Sequence, residues 1–208
     1  MKKIISIVAA IGGIAVFVAQ AFCAPIHEAA KSGDSAKLRE LLNKNPELLY
    51  SKDEVGKTPV HWAVGKGQPE ALRVLLDEYK ADPNIRNNND GTPLHVAASQ
   101  AQPACALILI EHGADVNART RNNSTPLHFA AYKGRKPGHI ETARILIEHG
   151  ADVNAAIDTG ATALSMATFR QNTEIIALLK QNGAKMGTGQ RGMRQGGMRG
   201  KGNYYIDE

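Results

Sequence analysis

The sequence has little of several residue types on which particular classes of protein depend. Its 208 residues contain two cysteines, Cys23 and Cys105, too few for a disulfide-stabilised scaffold, and no Cys-x-x-Cys pair to hold zinc. Aromatic residues make up 5%, so any hydrophobic core must consist mainly of aliphatic side chains. The apolar share of 43% and the charged share of 22% are ordinary for a folded domain, and they exclude wholesale disorder and a multi-span membrane protein.

Motifs of common catalytic and cofactor sites are also missing. The chain has no phosphate-binding loop, no Gly-x-Ser-x-Gly nucleophile turn and no His-Glu-x-x-His zinc motif. Cys105 stands in an apolar stretch without a neighbouring base, which indicates a buried and unreactive thiol. These absences predict a protein that is not an enzyme and that has neither catalytic residues nor a cofactor.

Most of the net charge of +5 lies at the two ends of the chain. Lys2 and Lys3 are at the start, and four basic residues face two acidic ones in the last 23 residues. From Ala24 to Lys185 there are 19 basic and 18 acidic residues, which leaves this body at +1. The basic balance is therefore no sign of a nucleic-acid-binding body, and we predict no nucleic-acid partner.

Residues 1–21 have the three parts of a secretory signal peptide. Two lysines precede an uncharged apolar run from Ile4 to Ala19, which ends in the small-x-small triplet Ala19-Gln20-Ala21. We expect cleavage after Ala21, with a second candidate after Cys23. The protein is then predicted to be exported, as a periplasmic or secreted protein that is free of the membrane.

Two alternatives are open for this segment. The uncharged stretch from Ile4 to His27 is long enough to cross a bilayer as an uncleaved anchor. A lipoprotein would use Cys23, although Phe22 before it is bulkier than the small residue usual there. With an anchor the two lysines stay on the cytoplasmic side, so the folded body would still lie outside the cytoplasm.

One tetrapeptide pattern recurs along the middle of the chain. Thr-Pro-x-His begins at Thr58, Thr92 and Thr125, 34 and 33 residues apart, and each copy leads into an apolar run with the helical period. Threonine is a good N-cap, and proline suits the first helical turn because no backbone N–H is needed there. Further on, the heptapeptide His-Gly-Ala-Asp-Val-Asn-Ala begins at His112 and again at His149, and its glycine suits a left-handed helix stop.

This pattern resembles the ankyrin repeat, a β-turn followed by two antiparallel helices in about 33 residues. Weaker copies flank the three, one from Ile26 to Leu42 and one from Thr162 to Ala184, where serine replaces the histidine. The resemblance implies an all-α repeat solenoid of about five stacked units over residues 24–185. It also implies binding of other proteins through a concave face, and we expect a monomer.

Two units depart from the pattern. Thr125 and Thr162 are 37 residues apart, and the excess at Gly134 to Gly138 predicts a surface loop between the two helices of the fourth unit. Such a loop either carries function or is a neutral insertion. The second unit has Glu78-Tyr79-Lys80 where the others have a glycine stop, so its helix should end differently.

Histidines fall at repeat positions rather than in a cluster. Four occupy one position of the repeat, namely His27, His61, His95 and His128, and His112 and His149 occupy another. A metal ion needs ligands that converge on one point, whereas repeat positions are spread along a stack. We therefore predict structural hydrogen bonds between units for these histidines and no metal site.

The composition changes at Met186. Residues 186–208 are rich in glycine, arginine and methionine and have no helical or strand period, which predicts a disordered tail. The tail is either simply solvated or in contact with an acidic surface. Its basic residues are few, and export would separate it from RNA.

The helical period selects the outward positions of each first helix, which are spaced i, i+3 and i+4. Side by side these positions form a surface rich in aromatic and basic residues, called here the first-helix strip. Its predicted partner-binding residues are Trp62, Lys66, Ser99, Gln100, Phe129, Tyr132, Lys133, Phe169 and Arg170, with Gly65, Val96 and Met166 at the remaining positions. Aromatic residues and arginine dominate binding energy at interfaces. In the alternative reading, these side chains pack between units and cover the core.

The polar turn tips, such as Asn87 to Asp90, allow two interpretations. The asparagine and aspartate side chains either shape the tight turns or form hydrogen bonds with a partner. The sequence as a whole predicts an exported, non-catalytic adaptor whose basic strip suits a partner protein with an acidic surface. The alternatives are a binder of acidic polymers or membrane headgroups through the strip and tail, which would weaken steeply with salt, and a secreted effector acting on a host protein.

Overall fold

The computed structural model of the chain describes residues 25–134 and 136–188. Within these residues the chain is helical, and a single bridge between Ala156 and Thr162 is its only β-type pairing. The α-helices are α1 (25–32), α2 (Ser35–Lys44), α3 (Pro59–Gly65), α4 (Pro69–Arg73), α5 (Pro93–Gln100), α6 (Pro103–Glu111), α7 (Pro126–Lys133), α8 (Pro137–Glu148), α9 (Ala163–Phe169) and α10 (Thr173–Gln181). A 3₁₀ turn (Pro46–Tyr50) follows α2, and a π-helical turn (Val74–Glu78) continues α4. Consecutive helices form five pairs, which confirms the predicted solenoid of five units.

The first helix of each central unit begins as its sequence predicts. Threonine is the N-cap of α3, α5 and α7, proline is the first helical residue, and histidine completes a capping box with the threonine. In α5, for example, the Thr92 N–H donates to His95 Nδ1 over 3.1 Å. These local bonds satisfy N–H groups that the first helical turn leaves without a partner.

One hydrophobic core runs through the array. First helices pack side by side, α3 on α5, α5 on α7 and α7 on α9, and fully buried alanines such as Ala97 and Ala130 permit the close approach. Apart from His61, the largest fully buried side chains are aliphatic: Ile26, Leu38, Leu42, Leu72, Leu75, Leu94, Leu109, Leu127, Leu146, Ile175 and Leu179. Each unit therefore buries its apolar face against its neighbours, as expected for a repeat protein.

The second helices end in a left-handed residue. Gly113 and Gly150 have φ of 84° and 87°, which confirms their predicted role, and Lys80 takes φ of 53° at the equivalent place in the second unit. The π-helical turn before Lys80 holds one residue more than the same stretch of α6. This residue accounts for the 34-residue spacing between Thr58 and Thr92, and the left-handed stop is retained without glycine.

The insertion in the fourth unit becomes helical at Pro137, so the prediction of a surface loop over Gly134 to Gly138 is wrong for Pro137 and Gly138. These two residues begin α8, which has 12 residues where α6 has 9. The additional turn packs on the third unit, since a Cβ on Gly138 would lie 2.5 Å from the carbonyl oxygen of Ala101. Only a residue without a side chain fits at so close an approach.

The C-terminal end of the array is closed by Lys185 and by Gly187, near the start of the predicted tail. The Gly187 N–H donates to Ser165 Oγ over 3.0 Å, and Thr162 Oγ1 donates to the Lys185 carbonyl over 2.9 Å. The rest of the predicted tail and the predicted signal peptide with its two cleavage sites lie outside the described residues. In the described part of the chain, no helix has the length and apolar character needed to cross a membrane.

Candidate functional site

Buried histidines connect each of the first three units to the next. His27 bonds through Nε2 to the Ser51 carbonyl at 3.0 Å, His61 to the Gly91 carbonyl at 3.2 Å and His95 to the Ser124 carbonyl at 3.0 Å. In His61 and His95, Nδ1 accepts the threonine N–H of the capping box, so the neutral tautomer with hydrogen on Nε2 fits both bonds. Burial lowers the pKa of His61, His95 and His128 to about 4. These geometries support structural roles for the histidines.

His139 was not singled out by the sequence analysis, although it has the same role as the repeat histidines. Its Nδ1 accepts the Lys136 N–H over 3.3 Å, and its Nε2 donates to the Ser99 carbonyl over 3.1 Å. The signal that could have found it is the spacing in Pro137-Gly138-His139, which repeats the Pro-x-His of the other units without the threonine. The additional turn of α8 is thus fixed to the third unit by the same kind of bond.

The side chains that could hold a metal ion or act as a nucleophile give little support for reactive chemistry in the described residues. These residues contain no group of three or more histidine, cysteine, aspartate or glutamate side chains arranged to hold a metal ion. Cys105 is buried, and burial raises the pKa of its thiol to about 11. A thiol with so high a pKa is a poor nucleophile at neutral pH, which agrees with the sequence prediction for this residue.

The fourth and fifth units place aromatic and cationic side chains together. The Arg170 guanidinium lies 4.8 Å from the centroid of the Tyr132 ring, a cation–π distance. Phe169, beside Arg170 in the sequence, leaves 45% of its surface exposed, and Lys133 is partly exposed at the end of α7. This end of the first-helix strip therefore offers a large apolar side chain next to fixed positive charge.

The first and second units make a second such arrangement around Trp62. The indole Nε1 donates to Asp53 Oδ2 over 2.9 Å, while Lys31 Nζ and Lys57 Nζ lie 4.2 and 4.8 Å from the ring centroid. A cavity of about 440 Å³ opens beside the ring and is lined by Glu28, Lys31, Ser32, Trp62 and Lys66. Helical period within one unit could not reveal Lys31, because it belongs to the preceding unit.

A family model for ankyrin repeats, spanning three copies, matches residues 26–120 and 117–190. These matches cover most of the chain and all five helix pairs. The chain belongs to the ankyrin-repeat family. Comparison with curated proteins finds no match. Ankyrin repeats are in general modules that bind other proteins, and the family is typically non-catalytic.

Packing between ankyrin units corrects part of the predicted strip. Ser99 is only 8% exposed, so its predicted outward position is wrong: the additional turn of α8 bonds to its carbonyl and packs on that end of α5. Met166 is 7% exposed and also belongs to the core. Phe129 is half-buried because its ring packs edge-to-face on His95, with 5.4 Å between ring centroids. Gln100 and Lys66 are exposed as expected.

The side chains at the turn tips of the ankyrin units mainly form hydrogen bonds within their own turn or with the neighbouring turn. Asn87 Oδ1 accepts the N–H groups of Asn89 and Gly91, both over 2.9 Å, which shapes its own turn. Asn88 Nδ2 donates back to the Glu54 carbonyl over 3.1 Å. The amides of these two asparagines therefore serve the turns and the contact between units, which favours the first of the two interpretations.

Proposed function

We propose that this ankyrin-repeat protein is an exported, non-catalytic adaptor that binds a partner protein through the first-helix strip. The observation that carries the proposal is the arrangement at the fourth and fifth units, where exposed Phe169 adjoins the Tyr132–Arg170 pair. Membership of the family supports the general role, since ankyrin repeats bind other proteins. The first-helix strip is the surface on which we expect the partner to bind.

The side chains at this end of the strip suit a binding site energetically. Aromatic rings bury a large area and have few rotamers to lose, so they give up little conformational entropy on binding. The Arg170 guanidinium is already positioned over Tyr132, which reduces the ordering that a partner must impose. Lys133 and Arg170 add positive charge, which speeds association with an acidic surface.

Replacing Phe169 or Tyr132 by alanine should weaken partner binding by about 2 kcal/mol, roughly 30-fold in Kd, as expected for central interface residues. Phe169→Ala should lower the free energy of unfolding by less than about 1 kcal/mol, because 45% of the surface of this side chain is exposed. The measurement is capture of partner from the exported fraction, followed by titration of the captured partner. The matched control is Leu107→Ala, which truncates a side chain that is 38% exposed on the second helix α6.

The proposal fails if Phe169→Ala and Tyr132→Ala bind the partner as tightly as the parent protein. It also fails if Leu107→Ala weakens binding as much as they do, since the binding surface would then include the second helices. Thermal unfolding of each variant shows whether a loss of binding reflects loss of the fold.

Export is supported by the charged start, apolar run and small-x-small end of residues 1–21. The full-length gene product should yield a mature protein that begins at Phe22, or at Ala24 if the second site is used. Intact mass of protein from the exported fraction measures this directly. A full-length chain that requires detergent for extraction would replace the cleaved signal by an anchor.

A further inference from the structure

Trp62 is fixed in place more firmly than a merely space-filling side chain requires. It is the only tryptophan of the chain, and its Nε1 donates to Asp53 Oδ2 over 2.9 Å. The other carboxylate oxygen of Asp53 accepts the N–H groups of Val55 and Lys57 over 3.0 and 2.7 Å. Three donors thus occupy this carboxylate, and the indole ring is held in one orientation.

Three lysines from two units surround this fixed ring. Lys31 Nζ and Lys57 Nζ lie over the ring at cation–π distances, and Lys66 lines the same cavity from the end of α3. In the described part of the chain, the only ion pair among the three is that of Lys31 with Glu28, a long one at 3.5 Å. Because Asp53 is occupied by its three donors, Glu28 is the carboxylate that pairs with these ammonium groups among the described residues.

The cavity beside the ring has the size and chemistry for acidic side chains. Its volume of about 440 Å³ is within the range of ligand pockets and admits a few side chains. Lys31 and Lys66 provide charged donors at the rim, and Glu28, which pairs with Lys31, also lines the cavity. Ammonium groups form their strongest hydrogen bonds with ionised acceptors such as carboxylates.

We infer that this cavity, the Trp62 pocket, binds carboxylate side chains of an acidic segment of the partner protein. The inference rests on the proposed function and adds the partner's chemistry and a second contact point, at the opposite end of the array from Phe169. The cavity is open to solvent, so a peptide segment can reach the lysines that line it.

Titration with hexaglutamate tests the inference, because Trp62 reports on its own pocket. The indole N–H resonance and the tryptophan fluorescence should both shift in a saturable way, and hexaglutamine at the same concentration should leave them unchanged. The double variant Lys31→Gln/Lys66→Gln should raise the Kd for hexaglutamate about tenfold, since each exposed charge pair contributes up to about 1 kcal/mol. Lys180→Gln, which removes an exposed lysine from α10, should leave that Kd unchanged.

Three results would overturn the inference. They are an absent Trp62 response, equal losses in the double variant and in Lys180→Gln, and a stronger Trp62 response to vesicles of anionic lipid than to hexaglutamate. Failure here can be told apart from failure of the proposed function. If Phe169→Ala abolishes partner capture while hexaglutamate leaves Trp62 unaffected, the adaptor function stands and only the acidic pocket is rejected.

Discussion

Acidification from pH 7 to pH 5 should lower the free energy of unfolding by about 5 kcal/mol. His61, His95 and His128 are buried, and burial depresses the pKa of each from 6.5 to about 4. Between these two pKa values the unfolded chain takes up protons that the folded chain does not. Each histidine then costs about 2 kcal/mol of stability over this pH interval, and the three act in the same direction.

The sign of the effect follows from the depressed pKa of the folded state. Above pH 6.5 these histidines are neutral in both states, and their full contribution to stability is present. Stability is lost as the pH falls from 6.5 towards 4. His139, whose pKa is also lowered by burial, adds to the loss. The raised pKa of His112 beside Asp77 opposes it only weakly, because half of the Asp77 side chain is exposed to solvent.

Urea unfolding at half-unit pH steps from 7.5 to 5 measures the effect. His95→Gln should be less stable at pH 7, because its bond to the Ser124 carbonyl is lost or weakened, yet its stability should fall with pH about one third less steeply. Leu107→Ala removes no titratable group, so it is the control and should keep the parent slope. A parent protein whose stability is flat from pH 7 to 5 would show that the histidines are not held neutral.

Truncating the core of the central unit should have the second largest effect. Leu109 is fully buried in α6, so Leu109→Ala should lower the free energy of unfolding by about 3 kcal/mol through lost burial and the cavity left behind. Because neighbouring units stabilise one another in a repeat array, the loss should be felt beyond the third unit. Urea unfolding at pH 7 provides the measurement.

Leu107→Ala is the matched control for this experiment, since it makes the same chemical change two residues away in the same helix. Leu107 is 38% exposed, and its truncation should cost less than about 1 kcal/mol. The two variants share any change in helix propensity, so their difference isolates burial. Equal losses would contradict the assignment of Leu109 to the core and Leu107 to the surface.

Local sequence patterns predicted the helices best where one residue type meets one backbone requirement. The threonine N-caps, the prolines of the first turns and the left-handed Gly113 and Gly150 all lie where the repeat placed them. The π-helical turn and the left-handed Lys80 were not predictable in detail. The helical period gives no sign of how a single additional residue is accommodated.

The exposure of the first-helix strip was harder to predict. The helical period alone predicts that Ser99, Tyr132 and Met166 all point outward, yet Tyr132 is half-buried and the other two are buried. The residues that bury a side chain of the strip belong to units 30 to 40 residues away in the sequence, as the bond from His139 to Ser99 shows. The pattern within one helix contains no information about these neighbouring residues.

By itself, the sequence determined the repeat, its five units, the aliphatic core and the type of residue at each cap, because these depend on short spacings and local backbone geometry. Only the tertiary structure decided which outward residues remain accessible, how the insertion in the fourth unit is used and which charges meet across units. Lys31 lies over Trp62 because two units stack, although 31 residues separate them. Packing between units brings together side chains that are distant in the sequence, and a binding surface consists of side chains that meet in this way.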